Sequence, residues 1–145
     1  MDEKKIPIKE TFEAGLQYHQ KNQLVLAKKF YNKVLNVEPN HFDSIFNLGL
    51  ISTHLNNFYE AKLFLEKAIK IQPKNIKSYI QLGIVLRELG KYRNAINIFE
   101  KAIKIEPNNA LLLNNIANVF KELGELKKAA NFYEKAIKFQ PNHAT

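Results

Sequence analysis

Proline recurs in this chain at a fixed interval. Pro39, Pro73, Pro107 and Pro141 lie 34 residues apart, and only Pro7 stands outside the series. The last three each follow the same phrase at the same distance: Glu66-Lys67-Ala68-Ile69-Lys70, Glu100-Lys101-Ala102-Ile103-Lys104 and Glu134-Lys135-Ala136-Ile137-Lys138. A looser copy, Asn32-Lys33-Val34-Leu35-Asn36, precedes Pro39. A single globular core has no reason to repeat its register, whereas stacked copies of one motif do, because each copy packs only against its neighbours. Residues 8–143 hold four such repeats, at 8–41, 42–75, 76–109 and 110–143. Residues 1–7 form a polar lead-in and residues 144–145 a tail.

Each repeat contains two helical patterns. In the third, Tyr79, Ile80, Leu82, Val85, Leu86 and Leu89 follow the i, i+3, i+4, i+7 spacing of an amphipathic helix, which predicts a helix over 76–89. Ala95, Ile96, Phe99, Ala102 and Ile103 predict a second over 92–105. Between the two patterns, Asn22, Asn56, Gly90 and Gly124 occupy one place in the four repeats. Glycine and asparagine are the residues favoured in left-handed conformation just past a helix, so each repeat is read as a helix–turn–helix hairpin. The proline then ends the second helix, since it lacks an N–H and disfavours helix at the residue before it. Asn40, Asn75, Asn108 or Asn109, and Asn142 offer N-caps for the following helix. Glu66 and Lys70, with their counterparts in the next two repeats, are spaced as i,i+4 ion pairs.

Small residues recur in phase with the period. Position 8 of the repeat is Gly15, Gly49, Gly83 and Ala117; position 20 is always alanine; position 27 is Val34, Ala68, Ala102 and Ala136. Glycine inside a helix costs about 1 kcal/mol relative to alanine, so three at one place imply that helices cross closely there. The bulk that fills the crossing stands at position 24, as Tyr31, Leu65, Phe99 and Tyr133.

Composition narrows the function by exclusion. The formal charge is +8, built from 20 Lys and two Arg, Arg87 and Arg93. Taken repeat by repeat it is +2, +1, +3 and +2, spread rather than gathered, and arginine, the planar phosphate fork, is scarce. Nucleic acid is therefore not an expected partner. No apolar run approaches the roughly 20 residues that span a bilayer, and the first ten residues carry no apolar secretory segment. A cytoplasmic location without membrane contact is expected. Cysteine is absent, which excludes disulfides and thiolate-bound metal.

No catalytic constellation emerges. The glycines follow the repeat and form no phosphate loop, and Ser44, Ser52 and Ser78 lie outside any nucleophile elbow. His41 and His143 fall in the turns after each repeat, while His19 and His54 fall near the ends of neighbouring first helices. Two imidazoles without a carboxylate at ligand spacing do not make a metal site. The chain is expected to be no enzyme, with no cofactor and no metal.

The period of 34, the small residue at position 8, alanine at 20 and 27, the bulky residue at 24 and proline at 32 together resemble the tetratricopeptide repeat. Asn47-Leu48-Gly49 and the stretch Gly90-Lys91-Tyr92, Ala95-Ile96, Phe99, Ala102-Ile103, Pro107 carry the likeness most closely. The first repeat departs most, with Thr11 and Ala14 where bulkier residues are usual in that family. The resemblance implies an all-α fold, a right-handed superhelix or solenoid of four hairpins and eight helices. It also implies a concave groove lined by the first helix of each repeat. Mapped onto this chain, the groove residues are Phe12, Phe46, Leu50 and Ile84, which are apolar; Asn47, Gln81, Asn114, Asn115 and Asn118, which are amides; and Arg87 and Lys121. The amides can each donate to and accept from a peptide backbone without reading its sequence, and the apolar residues can hold side-chain anchors. Family members that grip a C-terminal carboxylate do so with five residues, of which only two, Asn47 and Lys77, are matched here.

The expected function is a non-catalytic scaffold that binds an extended peptide or partner segment in this groove. The alternative is a substrate-docking arm excised from a larger enzyme such as a glycosyltransferase, suggested by the amide row at position 6. At the C-terminal end, Tyr133, Ile137 and Phe139 would face a fifth repeat, so this end is expected to seek cover, as part of a longer chain or by end-to-end self-association.

Overall fold

A computed structural model describes residues 7–140 as eight α-helices, with no strand among those residues. In chain order they are α1 (Ile8–Gln20), α2 (Leu24–Val37), α3 (Phe42–His54), α4 (Phe58–Ile71), α5 (Ile76–Glu88), α6 (Tyr92–Ile105), α7 (Ala110–Glu122) and α8 (Leu126–Lys138). The fourth proline, Asn142 and His143 lie outside the described residues. The chain divides into two compact units, Met1–Gln72 and Pro73–Thr145.

The hairpin turns form as the small residues dictate. Asn22, Asn56, Gly90 and Gly124 all have positive φ, between 59° and 78°. In each turn the next N–H reaches back to the preceding helix, as in Lys91 N–H to the Leu86 carbonyl at 2.8 Å and Gln23 N–H to the Tyr18 carbonyl at 2.8 Å. These bonds satisfy carbonyls that the helix end would otherwise leave open. The helix over 92–105 has the limits its periodicity predicts, while α5 ends at Glu88, one residue short of the expected Leu89.

Two local details differ from expectation. Asn75 and Asn109 do cap α5 and α7, accepting from Lys77 N–H and Leu112 N–H, but α3 is capped by His41 rather than Asn40. The His41 Nδ1 accepts the Ser44 N–H at 3.2 Å and pairs with the Ser44 hydroxyl at 2.9 Å. An imidazole nitrogen in its acceptor tautomer does the work of an asparagine oxygen. Glu66 turns not to Lys70 but to Lys62, at 3.9 Å. Exposed i,i+4 pairs of either polarity differ by only tenths of a kcal/mol, too little to fix a rotamer.

Helix approach within each hairpin follows the glycines. A Cβ on Gly15 would come 2.8 Å from Cε1 of Tyr31, and one on Gly83 would run into the ring of Phe99. Gly49 faces Leu65 at 3.0 Å. Tyr31, Leu65 and Phe99 are completely buried as a result. In the fourth hairpin Ala117 already carries a methyl, and Tyr133 opposite is only half-buried. In the first unit the core gathers Ala27, Tyr31, Leu48 and Ile51, with Phe12, Leu16 and Phe64 packed against it. The second unit buries Leu82, Val85, Phe99, Leu112, Leu113, Ile116 and Val119. Each such side chain contributes about 1.5–3 kcal/mol by leaving water, so this packing holds the hairpins together, not the surface ion pairs.

Candidate functional site

The residues singled out for the groove belong to first helices, and each unit is described by itself. In the first unit they come from α1 and α3. Phe12 is half-buried, its ring centroid 5.6 Å from Tyr31 and 5.0 Å from His41, so its ring is part of the packing as well as of the surface. Phe46 stacks on Phe42, one turn earlier on α3, at 5.9 Å and 8° between planes. Leu50 is half-buried on the same helix.

Asn47 enters a polar cluster around a buried phenol. The Tyr31 hydroxyl lies 3.1 Å from Nδ1 of His19 and is hydrogen-bonded to Asn47. Burial pushes the Tyr31 phenol up to about 12, against a smaller opposite pull from the Asn47 hydrogen bond. His19 in turn is held below its ordinary value of 6.5, first by burial and then by the charge of His54. The two histidines thus influence each other, and no group of three or more His, Asp or Glu placed to hold a metal occurs among the described residues. Sequence reasoning missed this cluster; the signal was Tyr31 at position 24, the only residue at that place preceded by a histidine at position 12 of its own repeat and followed by an amide at position 6 of the next.

In the second unit the candidates come from α5 and α7. Gln81 and Ile84 are half-buried on α5; Asn114 and Lys121 are exposed on α7, and Asn115 and Asn118 half-buried. Asn118 Oδ1 accepts a hydrogen bond from the Tyr133 hydroxyl. The amide nitrogen of Asn115 is buried and has no hydrogen-bond partner. Position 24 here is Phe99, which has no hydroxyl to offer. Arg87 is not a free charge: its Nε donates to Glu122 at 2.7 Å and its Nη2 contacts the same carboxylate oxygen, tying α5 to α7. This pairing raises the guanidinium above its ordinary value.

The C-terminal candidates separate. Ile137 is half exposed, at 51%, whereas Tyr133 is drawn to Asn118 and Phe139 lies half-buried under the Lys138 ammonium at 5.6 Å. No helix among the described residues is long and apolar enough to cross a membrane.

Two family models match the chain: Tetratricopeptide repeat, over residues 76–142, and Anaphase-promoting complex, cyclosome, subunit 3, over residues 17–102. No curated protein matches it in sequence. Solved structures do match in fold. MamA MSR-1 superposes with a TM-score of 0.84 at 21% identity, over 99% of this chain and 83% of that one. The MamA RS-1 ArsTM double mutant gives 0.88 at 18%, over 96% and 78%, and MamA AMB-1 gives 0.83 at 21%, over 97% and 76%. With the 34-residue period, the glycine-on-ring crossings and the left-handed hairpin turns already established, these matches assign the chain: it belongs to the tetratricopeptide-repeat family.

Proposed function

We propose that this chain, whose fold is that of a protein-interaction scaffold, binds an extended polypeptide segment along its first helices. The observation that carries the reading is Asn115. A buried amide nitrogen without an acceptor is a cost of about 1–3 kcal/mol, and turning this half-buried side chain outward to a main-chain carbonyl arriving at α7 would remove it. Gln81 and Asn114 add further amides on the same pair of helices, and Ile84 an apolar contact. In the first unit Phe46 and Leu50 supply apolar contact, while Asn47 is already engaged by Tyr31. Backbone recognition is thus assigned chiefly to the second unit and side-chain anchoring to the first.

Selection of a random peptide library on the wild-type chain, followed by titration of the winners, tests this. Asn115→Ala with Asn118→Ala is expected to weaken the selected peptides at least tenfold. Undiminished affinity in that variant would remove the amides from recognition. Failure to select any peptide would remove the groove.

A further inference from the structure

Charge that is even between repeats is uneven between helices. The first helices α1, α3, α5 and α7 carry −1, −1, +1 and 0, while the second helices α2, α4, α6 and α8 carry +3, +1, +2 and +3. The excess is concentrated further on one outward stripe of each second helix, at repeat positions 18, 22, 26 and 29. In the second hairpin these are Tyr59, Leu63, Lys67 and Lys70; in the first, Val25, Lys29, Lys33 and Asn36. All eight are exposed, and none of the sixteen stripe positions in the four repeats is a carboxylate.

The first unit adds an apolar component that the second lacks. Val25 is 81% exposed, and Tyr59 and Leu63 each 68%, whereas the matching places in the second unit hold Arg93, Asn97, Lys127 and Asn131. The Lys67 ammonium donates to the Pro39 carbonyl at 3.0 Å, so the stripe of α4 borders the turn that follows α2. Beside it lies a groove of about 770 Å³ whose apolar walls are Leu63 and Ile71 and whose polar lining is Asn40, Glu66, Lys67 and Lys70, two ammonium groups against one carboxylate. Nearby carboxylates are few, and besides Glu38, exposed next to Pro39, they are engaged. Glu60 accepts from the Ser52 hydroxyl at 2.9 Å, Glu66 pairs with Lys62, and α2 has no acidic residue.

We propose that the outer stripe of α2 and α4 is a peripheral docking surface for an anionic lipid bilayer. Lysines among exposed apolar side chains are the composition of a surface that rests in the headgroup layer, with ammonium groups on lipid phosphates and carboxylates and apolar tips below them. Nucleic acid fits less well. The first unit contains no arginine, and a strand-binding surface needs that planar fork or a run of stacking aromatics. The expectation of no membrane contact rested on the lack of a spanning segment, which peripheral docking does not require. Charge counted by repeat, which argued against nucleic acid, conceals the division between helix types.

Flotation of the full chain with vesicles of phosphatidylcholine and phosphatidylserine, against phosphatidylcholine alone, is the direct test. Binding is expected to the mixed vesicles only, and to weaken as salt is raised. Lys33→Gln with Lys67→Gln and Lys70→Gln should lower the partition coefficient on the order of a hundredfold, at about fivefold per lysine near the surface. Val25→Ser with Tyr59→Ser and Leu63→Ser should abolish the part of binding that survives high salt. These positions are exposed, and an unchanged helical spectrum verifies that the variants fold. Equal binding to both vesicle types, or no binding by the wild type at low salt, overturns the proposal. So does displacement of bound vesicles by duplex RNA or by polyglutamate at lower concentration than by phosphatidylserine vesicles.

Discussion

At position 24 of the first repeat stands Tyr31, and at the same place in the third stands Phe99; both are completely buried, but only one has a hydroxyl group. Around Tyr31 the first unit closes a polar cluster, with His19 on α1 and Asn47 on α3 both satisfied by the phenol. In the second unit the amide nitrogen of Asn115, at the place equivalent to Asn47, has no partner, and the position of His19 is taken by Arg87, which pairs with Glu122. One hydroxyl thus separates a layer whose amide meets a phenol from one whose amide nitrogen is buried without a partner. The period shapes the backbone alike in both units, while the side chains at three positions decide whether the inner polar groups find partners within the fold.

The largest effect expected from probing this contrast is at the crossing beneath the ring. Gly83→Leu drives side-chain volume into Phe99 and should cost roughly 1–3 kcal/mol or more, seen as a lower thermal midpoint by circular dichroism. An unchanged midpoint would mean that the ring does not seal the crossing. Next comes Tyr31→Phe, which imposes on the first unit the condition of the second. Leaving Asn47 and His19 without the phenol should cost about 1–3 kcal/mol in denaturant unfolding. The reverse exchange, Phe99→Tyr, should gain about 0.5–1.5 kcal/mol by offering Asn115 an acceptor, and should weaken selected peptides by the same act. If it destabilises the chain instead, the two layers are not equivalent and the comparison fails.

A double-mutant cycle between Arg87→Ala and Glu122→Gln should give less than about 1 kcal/mol of coupling, because both side chains are about one-third exposed. The last difference is a slope with pH. The folded chain holds His19 below 6.5, so between its folded value and 6.5 the unfolded chain binds a proton that the folded chain refuses. Stability from this site is therefore full above about 6.5, falls as pH drops, and levels off below the folded value. His19→Gln should flatten that part of the profile measured by chemical denaturation, and no change on Arg87→Gln is expected there, since arginine does not titrate in this range.

Much of the fold was readable because it rests on local and periodic causes. Proline, glycine and asparagine set the turns through their own backbone preferences, and apolar spacing set the helices. The cap of α3 escaped because an imidazole nitrogen accepts only in one tautomer, which no pattern announces. At the candidate site the residue types were legible but not their pairings. Arg87 and Glu122 are 35 positions apart and meet only because two helices pack, and the burial of Asn115 Nδ2 likewise depends on packing that no local pattern announces. The division of charge between helix types was present in the sequence all along, but it appears only when residues are grouped by the helix limits that the structure supplies.

The glycine-on-ring crossing also constrains how such a chain can change over time. Positions 8 and 24 share one volume, so a duplication or deletion whose breakpoint falls between them joins a small residue to a stranger. Only exchanges of whole hairpins keep each matched pair together. The fourth hairpin, with Ala117 at position 8 and a half-buried Tyr133 at position 24, holds a different pair from the other three, so its halves are not interchangeable with theirs.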